Sequence, residues 1–199
     1  MRFIPSIALL SLVVSPALYA ADISWNVRMA QTFADGVTVQ RAAFSDGVKN
    51  YAVSIDDETT AKPEGAGTRF TYRGVPSAVF DIQPSPVVPA VPFAEDTLDR
   101  YRKSARLRIP EGAGSVTVLD EVSDAIPINR WQSFRVNFAY VQNGRKVFKS
   151  VTFLTLKSGQ QALLDTSAYD SEFKAAMERS EYLIRSWHEL GLKTAMPDS

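Results

Sequence analysis

The sequence predicts an α+β fold in which an antiparallel β-sheet is flanked by helices, and three observations predict it. Short runs with apolar residues at every second position lie on either side of Asp-Gly and Asn-Gly pairs, the chemistry of tight hairpins. Two stretches, 94–107 and 169–190, carry apolar residues at helical spacing. The segment 84–92, PSPVVPAVP, holds four prolines and separates the first strands from everything that follows.

The first element is Met1 to Ala20. Arg2 precedes a mainly apolar run from Phe3 to Val14, and Ser15, Pro16 and Ala17 then break the run before small residues. That order reads as a secretory signal peptide cleaved after Ala20, with Leu18 a less usual residue at the third position back. The expected mature chain is a single domain of residues 21–199, periplasmic or secreted. A retained membrane anchor is the alternative, although the run is shorter than the ~20 residues a spanning helix needs. No later segment reaches that length, so no transmembrane segment is expected after cleavage.

Residues 23–82 read as strands. Val37 and Val39 alternate with Thr38 and Gln40 after Ala34-Asp35-Gly36, and Ser45-Asp46-Gly47 precedes Tyr51, Val53 and Ile55. Glycine supplies the positive φ such turns need. The stretch DDETTAKPEGAG reads as a loop, with strands again at Arg69–Tyr72 and Ala78–Ile82. The 84–92 segment is an extended connector, because proline removes backbone donors and fixes φ. A helix is expected from Ala94 to about Leu107, with Leu98, Tyr101 and Ala105 on one face. Asp96 with Arg100 and Asp99 with Lys103 place acid before base at i,i+4.

Residues 114–166 predict a meander. GSVTVLDEV is one strand; Phe134, Val136, Phe138 and Tyr140 alternate with Arg135, Asn137 and Ala139; Asn143-Gly144 turns into KVFKSVTFLTL, and Ser158-Gly159 into QQALLDT. One face is expected to be covered and the other partly wet. The last helix is expected from Tyr169 or Asp170 to Leu190, capped by Ser167 or Asp170 and stopped by Gly191. Its apolar stripe is Phe173, Met177, Ile184 and Trp187, with Leu183 and Leu190 nearby, and it is expected to pack on the sheet.

Composition narrows the function. Cysteine is absent, which removes disulfides, lipidated cysteine, thiolate metal sites and cysteine nucleophiles. Basic and acidic residues number 22 each, so no global field attracts nucleic acid. None of Asn26, Asn50, Asn129, Asn137 and Asn143 lies in an N-x-[ST] sequon, which together with the missing disulfides suits a bacterial exported protein.

Chemistry-bearing motifs are incomplete. His188 is the sole histidine, and H-E-x-x-H fails because Leu192 stands four residues on. Ser171 and Lys174 match S-x-x-K without the S-D-N and K-T-G partners. The acidic groups Asp56-Asp57-Glu58, Glu95-Asp96 and Asp120-Glu121 lack the central glycine of a calcium loop and read as solvated loops and caps. No phosphate-cradling glycine motif occurs. No catalytic residue, metal site or cofactor is therefore assigned. Trp25, Trp131 and Trp187 stand near element ends, and Arg100 and Lys103 belong to a basic run with Arg102, Arg106 and Arg108. The three tryptophans with Arg100 and Lys103 are the candidate surface for a ligand or partner, with core packing and a solvated helix face as the plainer readings.

The order of a crossing helix, the antiparallel run SFRVNFAYVQNGRKVFKSVTFLTLKSGQQALLDTSA and a closing helix FKAAMERSEYLIRSWHEL resembles the PsbP-like and DcrB-like domains. The resemblance covers roughly residues 93–190. Ile184-Arg185-Ser186-Trp187 matches the family's closing Ile-x-x-Ser-Phe, with Trp in place of Phe. It implies an α/β/α sandwich around an antiparallel sheet and a noncatalytic accessory or binding role at an envelope complex. The lack of a lipidation cysteine departs from many bacterial members, and no site residues carry over. The leading expectation is an exported noncatalytic protein that binds a protein partner in the cell envelope. A small-ligand carrier with an aromatic pocket is the alternative, and a hydrolase using His188 is a third reading.

Overall fold

The structure, a computed structural model, describes residues 25–34, 37–126 and 131–190. The signal segment, the turn residues Asp35 and Gly36, the turn at Pro127 and the stop at Gly191 lie outside the described residues. Among the described residues, eleven strands form two antiparallel sheets. The smaller holds β1 (Arg28–Ala34), β2 (Val37–Ser45), β3 (Asn50–Ile55) and β11 (His188–Glu189), in that order. The larger holds β4 (Thr59–Glu64), β5 (Gly67–Tyr72), β6 (Val75–Pro84), β7 (Gly114–Ser123), β8 (Ser133–Gln142), β9 (Arg145–Thr155) and β10 (Gln161–Tyr169), in the order β4-β5-β6-β10-β9-β8-β7. The two helices are α1 (Leu98–Arg106) and α2 (Phe173–Arg185).

The hairpins lie where the turn chemistry puts them. Ala34 faces Val37 across the first Asp-Gly, Ser45 faces Asn50 across the second, and Gln142 faces Arg145 across Asn143-Gly144. Asn143 and Gly144 both have positive φ, 51° and 72°, as a two-residue turn matched to strand twist requires.

The segment read as a loop, DDETTAKPEGAG, is instead the β4–β5 hairpin, with Gly65 at φ 56° in the turn. Its polar sequence hid it: β4 is an edge strand, where Pro63 and Lys62 are tolerated because no further strand needs their backbone. Gly67 sits where β5 approaches β6 closely, and a Cβ there would collide with the Ile82 carbonyl oxygen and Gln83 Cγ. Gly67→Ala is expected to cost about 1–3 kcal/mol, as overpacking does, read as a lowered urea midpoint at unchanged slope. A wild-type midpoint would refute the close approach.

The central strands of the large sheet are covered on both faces, whereas the outer strands β7 and β8 keep one side partly wet, as expected of the meander. On one face Phe134, Val136, Phe138, Val151, Phe153 and Leu163 pack with Leu98, Tyr101 and Ala105 of α1. On the other, Phe70, Phe80, Ile82, Leu154 and Leu164 share a core with Ala176, Leu183 and Ile184 of α2 and with Phe44, Tyr51 and Val53 of the small sheet. Strand alternation splits each strand between the two cores, so β9 and β10 are buried almost throughout. The wet strand is the outer one, β7. The helices therefore flank the sheet on opposite sides, but α2 shares its side with a second sheet, so the layering is only in part the simple α/β/α sandwich.

Both helices are shorter than their apolar spacing suggests. α1 begins at Leu98, because the Thr97 hydroxyl binds the Pro92 and Ala94 carbonyls at 2.6 and 2.8 Å and holds 94–97 as a turn. The expected Asp96–Arg100 and Asp99–Lys103 pairs do not form; Asp99 takes Arg102 at i,i+3, and Arg102 continues to Glu121 of β7. α2 follows a 3-10 turn at Asp170–Glu172, and neither Ser167 nor Asp170 caps it. Ala176 and Ser180 let it approach the sheet closely, and Arg179 ties it to Asp56 at 2.9 Å and to Glu58.

Candidate functional site

α2 stops at Ser186, short of the expected Leu190. The Ser186 hydroxyl donates to the Leu183 carbonyl at 2.8 Å and accepts the Ser54 amide at 2.8 Å, so the small sheet competes for the helix end. The chain then turns extended: His188 pairs with Ala52, Glu189 with Tyr51, and the Leu190 amide donates to the Asn50 carbonyl at 2.8 Å. Trp187, expected on the helix stripe, lies in this link and is 2% exposed.

That link brings the tryptophans together. Trp187 meets Phe44 edge-on at 4.9 Å, Tyr51 at 5.9 Å and Trp131 at 5.8 Å, while Trp25 stacks on the far side of the cluster against Phe44 at 5.8 Å. Edge-to-face pairs at these distances are the favourable aromatic arrangement. Trp25 and Trp187 are core residues, whereas Trp131 is half-buried. The indole N–H of Trp187 is buried without an acceptor among the described residues, which is unusual for a buried donor.

Trp131 and Trp187 line a cleft of about 700 Å³ with Gln132, Lys157, His188 and Glu189. Glu189 is paired with Lys49 at 2.6 Å. His188 Nδ1 lies 2.8 Å from the Ser186 carbonyl, which can only accept, so Nδ1 carries the proton and Nε2 is the ring's acceptor in the neutral form. That is the imidazole's hydrogen bond among the described residues, and no serine hydroxyl or carboxylate joins it. Ser171 and Lys174 lie far along α2's other end; Lys174 is exposed and reaches only Glu178 at 3.9 Å.

Beside the cleft, Asp46 fastens the two sheets. Its Oδ1 accepts the amides of Val48 and Lys49 at 2.8 and 2.7 Å, and its Oδ2 accepts the Tyr51 and Ser158 hydroxyls at 3.1 and 2.5 Å. Burial, with the Asp46 charge adding to it, pushes the Tyr51 phenol up to about 12. Tyr140, buried near Asp165, is likewise raised to about 12. A phenol whose folded pKa is raised contributes stability that is complete below about pH 10 and lost as the pH climbs toward 12. Alkaline unfolding followed by tyrosinate absorbance is expected in that window; tyrosines that all ionise near 10 in the folded protein would contradict it.

Arg100 and Lys103 are placed elsewhere. Both are exposed on α1, across the large sheet from the tryptophans, and have no ion-pair partner among the described residues. The structure thus joins the three tryptophans and separates the two basic residues from them.

A second constellation lies on the α1 face and was not anticipated. Arg69 grips Asp81 through two bonds at 2.8 and 2.9 Å, and Asp81 faces Asp165 across β6 and β10. Asp165 is met by Arg108 at 3.1 Å and by the Lys149 ammonium at 2.6 Å, the latter an ionic contact outside hydrogen-bond angles. Asp81, Lys149 and Asp165 are all buried. The signal in the sequence was an acid within each of two apolar strands, AVFDI and ALLDT.

Fold and cleft together define a two-sheet α+β protein with a surface cleft at the junction of the sheets. No protein-family model matches the sequence, and no curated protein matches it. The chain is similar in structure to LpqN of Mycobacterium tuberculosis, described as involved in cell envelope biogenesis, at 10% identity and TM-score 0.45, over 83% of this chain and 92% of that one. It is similar to cyanobacterial PsbP from Synechocystis at 12% identity and TM-score 0.47, over 83% and 94%. It is similar to the Ran-binding protein Mog1p of Saccharomyces cerevisiae at 11% identity and TM-score 0.33, over 81% and 95%. Residues 93–190 resemble the PsbP-like and DcrB-like domains in their order of elements, and no residue is carried over from these structures. No helix among the described residues is long and apolar enough to cross a membrane.

Proposed function

We propose that this chain is an exported, noncatalytic binding protein that engages a protein partner of the cell envelope through the Trp131–Trp187 cleft. The observation that carries the reading is the indole pair: a half-buried Trp131 presented at the cleft, backed by a buried Trp187 whose N–H has no acceptor among the described residues. Tryptophan combines large apolar area with a donor and few rotatable bonds, which is why it anchors interfaces. The His188 imidazole is bonded to the Ser186 carbonyl at the end of α2 and its backbone pairs with Ala52, with no reacting group beside it among the described residues, which favours binding over hydrolysis.

The test uses Trp131→Ala, which removes the exposed anchor and leaves Trp187 in place. Wild-type protein is expected to retain one envelope protein at a fixed ratio and to show a shift in tryptophan emission on binding it; Trp131→Ala is expected to weaken this at least about tenfold, the scale of an interface anchor. Equal retention by both proteins would overturn the cleft assignment. Recovery of a product beginning at Ala21 from the exported fraction is the expected result for the signal peptide, and an intact Met1 would argue for the anchor.

The cleft's volume, about 700 Å³, also lies in the range of small-molecule sites, ~300–1,000 Å³, which keeps a carrier as the second reading. Native mass spectrometry decides between them. A bound small molecule lost in Trp131→Ala supports the carrier.

A further inference from the structure

The two ends of the large sheet are treated differently. At one end β4 carries Lys62 and Pro63, residues that discourage another strand from pairing with an edge. At the other end β7, ten residues long, has neither lysine, arginine nor proline, and exposes Val118, Leu119 and Val122. Its inner edge is taken by β8, so its outer backbone groups are unpaired by any strand among the described residues. The edge is interrupted by register shifts after Gly114 and at Leu119 and carries Asp120 and Glu121, but its exposed apolar side chains and open backbone still offer a template for strand addition.

The surface beside this edge says what it suits. α2 packs on β10 and β6, so the same face of the outer strands is left as a groove of about 500 Å³ with Leu119, Phe173 and Met177 along it. Asp120, Glu178 and Glu181 line the groove with Lys174. Arg135 faces the same side, half-buried and bonded to Thr152 at 3.0 Å, where it offsets part of the charge of Asp120 and Glu181. The charges of β7 itself are Asp120 and Glu121, held by Asn137 and Arg102. Glu121 is already paired with Arg102, so a second copy pairing through β7 would bring Asp120 carboxylates into one seam with no cation of the strand to oppose them. A foreign strand bearing Lys or Arg meets the opposite situation.

We propose that β7 is an open edge that accepts an extended basic segment of a partner protein as an eighth strand, its apolar side chains lying beside Leu119 and Met177. Main-chain hydrogen bonds would supply affinity, and the carboxylates selection for basic residues. The surface is distinct from the Trp131–Trp187 cleft.

The probe is a labelled eight-residue peptide alternating Val and Lys, with a second in which Glu replaces Lys, each titrated into the purified protein by fluorescence anisotropy. The Lys peptide is expected to bind, to slow hydrogen exchange at the β7 amides, and to bind at least about tenfold more tightly than the Glu peptide. Asp120→Lys with Glu121→Lys is expected to reverse that preference, and Leu119→Lys with Val122→Lys to abolish binding of the Lys peptide; unchanged far-ultraviolet dichroism and melting show that each variant is folded. No binding, equal affinity for both peptides, or protection appearing away from β7 would overturn the proposal. So would concentration-dependent dimerisation lost in Leu119→Lys, which would name a second copy as the occupant.

Discussion

Asp165→Ala is expected to lower the unfolding free energy by about 3–5 kcal/mol, the largest effect of a single polar substitution in this protein. The Lys149 ammonium, 2.6 Å away and only 9% exposed along its side chain, loses its counter-charge and is left in the low-dielectric space between the sheet and α1. Arg108 loses the same partner but is about one-third exposed and can turn to water. The penalty is thus mainly the stranded lysine, not the worth of the pair. Replacing both members, Lys149→Met with Asp165→Leu, is accordingly expected to recover most of the loss, because two apolar side chains need no desolvation of charge. Urea denaturation of Asp165→Ala and of the double variant measures this directly. A loss for Asp165→Ala below about 1 kcal/mol, the scale of a surface ion pair, would mean that the row is solvated.

Trp187→Ala is expected to cost about 3–5 kcal/mol, as truncation of a buried large aromatic does. Its indole touches Phe44 and Tyr51 of the small sheet and Trp131 just before β8, so its removal opens a cavity at the junction of both sheets. Trp187→Phe keeps part of the edge contacts and is expected to cost clearly less. The expected signature is a lowered urea midpoint together with loss of the emission component from a buried indole. A cost below about 1 kcal/mol would place the indole outside the core, since deleting even a few buried methylenes costs that much.

The strands were legible wherever their side chains alternate and their turns carry Gly. Asn143-Gly144 announced the β8–β9 hairpin, and Leu98, Tyr101 and Ala105 announced the inner face of α1. β4 was hidden because its place at the edge lets it be polar, and that polarity is also the signature of a loop. The end of α2 was misread for a different reason: Trp187 and Leu190 continue the helical period, but Ser186 is claimed by the Ser54 amide, a bond to a strand 132 residues earlier in the chain. The tryptophans of the cleft could be named as candidates from their residue type alone. Their convergence could not.

By itself the amino-acid order determined the hairpins, the apolar faces of the helices and the absence of any thiol chemistry, because each depends on residues within a few positions of one another. Tertiary structure alone decided that Trp25 and Trp187 meet on Phe44 with Trp131 against Trp187, that Arg69, Asp81, Asp165, Lys149 and Arg108 form one charged row, and that β7 is left as an open edge. Those outcomes depend on which strands become neighbours, and pairing between distant segments is settled by the summed burial of two whole faces of a sheet, a quantity no local window contains.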